Sequence, residues 1–82
     1  IQQIHLNIYP NPATEVVYIE IPDNIRVEQL QLTDVIGRIV SIETEYNNHR
    51  LILRTASLAA AVYEINIRTN EGSVKEKLIV ER

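Results

Sequence analysis

The sequence predicts a small all-β sandwich of about seven short antiparallel strands, and three observations predict it. Apolar residues recur at every second position in several short runs, the period of a strand with one face buried. Turn residues (Pro, Gly, Asn, Asp) separate those runs roughly every 8 to 12 residues. The 45% hydrophobic content is almost wholly aliphatic, with four tyrosines as the only aromatic residues. Valine and isoleucine at that density favour a pleated surface over a helix.

The elements follow in order. Ile4, Leu6 and Ile8 alternate with His5, Asn7 and Tyr9 in a first strand that Pro10-Asn11-Pro12 ends abruptly. Proline removes backbone donors, so this stretch is a turn or a kinked crossover. Val17, Ile19 and Ile21 alternate with Tyr18 and Glu20 in a second strand, stopped by Pro22-Asp23-Asn24. In the third run Ile25 and Val27 have one parity and Leu30 and Leu32 the other, which predicts a bulge or short break near Glu28. Asp34-Val35-Ile36-Gly37-Arg38 supplies the next turn, with Gly37 as the residue for a positive φ.

Ile39, Val40 and Ile42 open a fourth strand, expected to run on toward Tyr46 before the polar turn Asn47-Asn48-His49. Leu51 and Leu53 alternate with Ile52 and Arg54 in a fifth. Tyr63, Ile65 and Ile67 take one side of a sixth, with Glu64, Asn66 and Arg68 on the other and Leu58 plugging the core just before it. Tyr63 sits where sandwich folds keep a buried tyrosine whose hydroxyl reaches back to upstream backbone, a tyrosine corner. A core tyrosine with no special partner is the other reading. Asn70-Glu71-Gly72 makes a short hairpin loop, and Val74 to Val80 is the last strand, with Leu78 and Val80 inward and Lys75 and Lys77 outward. Ala56 to Ala61 is too short, and too closely flanked by strands, to stand as a helix.

The bulk properties bound the function. A chain of 82 residues makes one domain, residues 1–82, that buries only roughly 60 to 65% of its unfolded surface. The net charge of -3, with no Lys/Arg cluster, leaves no electrostatic footprint for nucleic acid. The absence of cysteine excludes a disulfide framework and a thiolate metal site. No apolar run approaches the roughly 18 residues of a membrane span, and no signal peptide opens the chain, so an exported protein would carry its signal further upstream.

Tyr9-Pro10-Asn11-Pro12-Ala13, Asp34-Val35-Ile36-Gly37-Arg38, Leu58-Ala59-Ala60-Ala61-Val62-Tyr63 and the lysine-bearing strand after Gly72 occur in an order and spacing that resembles the C-terminal sorting domain of the type IX secretion system. The likeness spans Tyr9 to Val80. It implies an immunoglobulin-like sandwich at the C-terminus of a larger exported protein of Gram-negative bacteria, without catalytic activity or cofactor. It also implies recognition in the periplasm by shuttle proteins and by the type IX translocon at the outer membrane. In many members a sortase-like cysteine peptidase removes the domain and attaches the passenger to the cell surface, with any cleavage point here at or before Ile1. The family usually has glycine where this chain has Ala61. If that position needs a positive φ, alanine costs on the order of 1 kcal/mol; if it needs only a small side chain, alanine fits.

Asp34, Gly37, Arg38, Lys75 and Lys77 are the candidate recognition surface; Pro10, Asn11, Pro12, Leu58, Ala61 and Tyr63 are structural. Each of the five also has a plainer reading, because turns select Asp and Gly for backbone reasons and lysine commonly guards an edge strand. The exposed edge of the last strand would offer charge and backbone groups to a partner strand. It would equally permit a weak edge-strand dimer of an otherwise monomeric domain. His5 and His49 lack the close spacing of metal ligands and suit exposed positions. Ser41, Ser57 and Ser73 lack a nucleophile context, and Asp23, Glu20 and Glu64 could pair as carboxylates only by chance. The alternative to a sorting signal is a carbohydrate-binding or adhesive spacer. Such binders stack sugars on aromatic platforms, and Tyr9, Tyr18 and Tyr46 form no obvious pair in the sequence.

Overall fold

A computed structural model describes residues 4–47 and 49–82. Among the described residues eight strands form in order: β1 (Ile8–Tyr9), β2 (Val16–Glu20), β3 (Val27–Thr33), β4 (Ile39–Val40), β5 (Glu43–Asn47), β6 (Arg50–Arg54), β7 (Ala61–Thr69) and β8 (Gly72–Val80). They make two four-stranded antiparallel sheets, ordered β1-β2-β6-β5 and β4-β3-β7-β8. The alternation read from the sequence decides which face of each strand turns inward. Val17 and Ile19 from β2 and Leu51 and Leu53 from β6 meet Leu32, Ile65, Ile67, Leu78 and Val80 of the other sheet in one core. Each such side chain, fully buried, contributes about 1.5 to 3 kcal/mol.

The parity change in the third run is a bulge: the β3–β7 register slips between Val27 and Gln29, so Glu28 is the extra residue. Gly37 has φ 87°, as its turn requires. Two expectations fail. The first strand shrinks to Ile8–Tyr9, although Leu6 ahead of it is still buried. The fourth run divides, with β4 pairing to β3 in one sheet and β5 to β6 in the other, so the chain changes sheets at Ser41-Ile42. The sequence hints at this only weakly. Ile39 and Val40 are adjacent rather than alternating, and all five residues of β5 are exposed, so nothing apolar holds the run to one face.

The β7–β8 hairpin closes through a two-residue loop, Asn70-Glu71, with Thr69 opposite Gly72. Thr69 is buried and satisfied, its hydroxyl donating to the Gly72 carbonyl (2.7 Å) and accepting from the Glu71 N–H (3.1 Å). The Asn47-Asn48-His49 turn lies partly outside the described residues; in the described part the His49 N–H donates to Asn47 Oδ1 (3.1 Å).

Candidate functional site

Tyr63 opens the buried stretch of β7 with its ring in the core and its hydroxyl donating to the Ala59 carbonyl at 2.7 Å. This is the corner geometry expected from the sequence. A phenol buried at a strand start needs an acceptor, and a chain that turns just before the strand supplies one four residues upstream. Leu58 is buried beneath the same turn. Ala61 stands opposite Val80 in the β7–β8 register. Among the described residues no residue other than glycine has a positive φ, so alanine is unstrained there.

The Asp34 turn packs alongside. The Asp34 carboxylate accepts from the N–H of Ile36 (3.1 Å) and of Arg38 (2.9 Å) through Oδ1, and from Arg38 Nε (2.9 Å) through Oδ2. Main-chain bonds from the Gly37 N–H to the Asp34 carbonyl (3.0 Å) and from the Asp34 N–H to the Arg38 carbonyl (2.9 Å) close it. Burial would raise the Asp34 carboxyl, but the Arg38 N–H and side chain and the Ile36 N–H outweigh it and hold the group below the usual carboxylate range. With the polar atoms satisfied inside the turn, Val35 and Ile36 are left 78% and 69% exposed. Turn and corner border a groove of about 410 Å3 lined by the aliphatic Val35, Ile36, Val40, Leu58 and Val62 as well as by Asp34, Arg38 and Ser57. Ile39, 70% exposed, stands opposite Thr33 on β3.

The two lysines share a sheet face with this end. Paired residues of antiparallel strands point to the same side. Ile39, Thr33, Glu64 and Lys77 therefore form one row across the outer face, and Gln31, Asn66 and Lys75 form the next. Beside Lys75 the face dips into a trough of about 680 Å3 lined by Gln31, Asn66, Arg68 and Ser73 together with the apolar Ile67 and Val74. All five candidate residues thus belong to one sheet, with Asp34, Gly37 and Arg38 at its end and the lysines across its face.

The edge of β8 is not open as the sequence suggested. The chain after β1 runs parallel along it: the Ala13 N–H donates to the Ile79 carbonyl (2.8 Å) and the Glu81 N–H to the Ala13 carbonyl (2.7 Å). Asn11 stands between two prolines that cannot donate, and its side-chain amide takes over their pairing role. Asn11 Nδ2 donates to the Lys77 carbonyl (2.7 Å) while its Oδ1 accepts from the Ile79 N–H (3.0 Å). Ala13, fully buried, seals the seam, and the Ile4 N–H donates to Ser73 further down. Partner-strand addition at Lys77 to Glu81 is therefore blocked while this latch is closed.

Other side chains resolve simply. Tyr9 and Tyr18, unpaired in the sequence reading, lie opposite each other on β1 and β2 with ring centroids 5.6 Å apart at 40°. The Tyr9 hydroxyl donates to Glu20, and Arg50 lies 4.9 Å over the Tyr18 ring. The Tyr9 bond, ahead of the nearby Arg50 charge, also lowers the Glu20 carboxyl. His49 Nδ1 meets Asp23 at 3.0 Å. Among the described residues no group of three or more His, Cys, Asp or Glu side chains is placed to hold a metal ion. Sequence reasoning missed Val35, Ile36, Ile39 and Val62 as surface residues. The available signal was a pair of large aliphatics at a turn tip, where burial is unusual.

A family model described as a secretion system C-terminal sorting domain matches residues 7–81. No curated protein matches the chain.

Proposed function

Since this chain belongs to the family of secretion system C-terminal sorting domains, which are sorting signals for type IX secretion, we propose that it is read at the end of the β4-β3-β7-β8 sheet where the Asp34 turn meets the tyrosine corner. The signal directs export across the outer membrane to the cell surface or the extracellular space, which entails interaction with the secretion machinery. The family is in general non-catalytic. The observation that carries the proposed reading surface is the gathering of Val35, Ile36, Ile39 and Val62, all large, aliphatic and exposed, at one end of a small domain. Scattered apolar residues are ordinary, whereas several beside a groove suit a protein partner.

Asp34, Gly37 and Arg38 hold this tip in shape, and Lys75 and Lys77 give the adjoining face its positive charge. The partners are periplasmic shuttle proteins and the type IX translocon, met in passage through the periplasm, with a sortase-like cysteine peptidase for members that are cleaved. Residues 1–82 act as one module at the C-terminal end of a larger exported protein.

The test fuses the chain to a passenger with a signal peptide and compares it with Val35→Ser/Ile36→Ser and Lys75→Ala/Lys77→Ala variants that retain the original melting temperature. The aliphatic variant should leave the passenger in the periplasm, and the lysine variant should be exported less efficiently. Full export of the folded aliphatic variant would remove the groove as the reading surface. A loss confined to the lysine variant would move that surface to the sheet face.

A further inference from the structure

The guanidinium of Arg82 lies in a cradle of main-chain carbonyls drawn from separate parts of the chain. Its Nη1 donates to the carbonyl oxygens of Thr14 and of Glu81 (3.2 Å). Its Nη2 is shared among those of Thr55 (2.6 Å), Ala56 (3.0 Å) and Leu58. Thr14 directly follows the latch on β8, and Thr55 to Leu58 form the turn beneath the corner. From the other side the N–H groups of Thr55 and Ala56 both donate to the Glu15 carbonyl (2.9 and 3.1 Å), and the Leu58 N–H donates back to Thr55 (3.0 Å).

Converging carbonyl oxygens repel one another unless a donor or cation lies among them. A guanidinium suits such a cradle, because it is always charged and presents five N–H groups in a fixed plane; an ammonium offers three donors from a single point. The turn that Arg82 joins carries Leu58 and leads directly to Ala59, whose carbonyl receives the Tyr63 hydroxyl and whose neighbours wall the groove.

We infer that Arg82 is a positioning residue: its guanidinium holds the Thr55–Leu58 turn, and through it the corner wall of the groove, in the folded arrangement. It thereby couples completion of the last strand to the shape of the surface proposed above. The effect on export rests on that reading, whereas the effect on the turn does not.

Amide hydrogen exchange tests the inference in the 82-residue chain. Arg82→Ala should speed exchange at Thr55, Ala56 and Leu58 by at least about tenfold while Val17 and Leu53, in strands Arg82 does not touch, stay within about twofold. Arg82→Lys should fall between, since it keeps the charge and stem but not the planar fork, and it carries the test alone should the alanine variant fail to fold. Unchanged exchange at the turn, or an equal rise at Val17 and Leu53, would overturn the positioning role. Export of a fused passenger provides the second arm. A loosened turn with undiminished export would leave the positioning role standing and sink the groove as the surface that is read.

Discussion

Strands β5 and β8 both lie at the edge of a sheet, and the chain protects them by opposite means. In β5 all five residues, Glu43 to Asn47, are exposed, and the strand pairs with β6. A short polar edge that buries nothing offers little to an intruding strand. In β8 Val74, Leu78 and Val80 are buried, so the strand needs its inner face for the core and cannot be made polar throughout. Its edge is closed instead by the chain's own segment from Asn11 to Ala13. Where an edge strand carries core, a covering segment replaces polarity as the protection.

The two edge strands differ most in what they give to the core. Leu78→Ala should destabilise the domain by about 2 to 5 kcal/mol, as emptying a fully buried leucine site does, whereas Thr44→Ala on β5 should stay within about 0.5 kcal/mol. Urea denaturation of the two variants decides it, and similar midpoints would mean that the edges are not energetically distinct.

Next comes the latch. Asn11→Ala removes both side-chain bonds to β8, and the flanking prolines cannot replace the lost donor, so the cost should be about 1 to 2 kcal/mol. The Lys77 carbonyl and Ile79 N–H freed on the edge should also let copies associate, visible as a faster-sedimenting species at high concentration. A strictly monomeric variant of lowered stability would show that β8 resists addition without the Asn11 bonds.

One bond on the strand beside β8 gives a smaller effect. Tyr63→Phe should cost about 1 kcal/mol through the lost bond to the Ala59 carbonyl. An unchanged denaturation midpoint would remove the corner bond from the account of how β7, and β8 with it, is anchored.

Acid separates the two edges of the β8 sheet. The Asp34 carboxyl is depressed by folding, so its contribution is present above the ordinary carboxylate pKa and is lost as pH falls through the lower folded value. The amide resonances of Ile36 and Arg38, beside β4, should shift in that acid range. Those of Ala13 and Ile79 should not follow the same titration, because amide and main-chain groups make the latch bonds. A shared midpoint would mean that the two edges open together.

The smallest effect belongs to the surface of β5. Glu45→Gln breaks the exposed pair with Arg54 and should change stability by less than about 0.5 kcal/mol, with any loss fading in high salt. A larger, salt-insensitive loss would mean that β5 depends on more than its polarity.

Local patterning was sufficient for much of this protein. The inward faces of β2, β6, β7 and β8 follow from period-two alternation, the bulge at Glu28 from a change of parity, and the Asp34 turn from a carboxylate that caps its own following N–H groups beside a glycine. The Tyr63 bond follows from the need of a buried phenol for an acceptor close by in the chain. Each is a relation among neighbouring residues, and local steric and hydrogen-bonding rules act over that range. The stacking of the sheets fixed the change of sheet at Ser41-Ile42, the gathering of Val35, Ile36 and Val62 at one groove, the closing of the β8 edge by Asn11 and the seating of Arg82 among distant carbonyls. Asn11 reaches a carbonyl 66 residues away and Arg82 one 68 residues away. Such partners meet only because two sheets stack and bring chain segments side by side. That placement depends on how the whole core packs, which no local periodicity encodes.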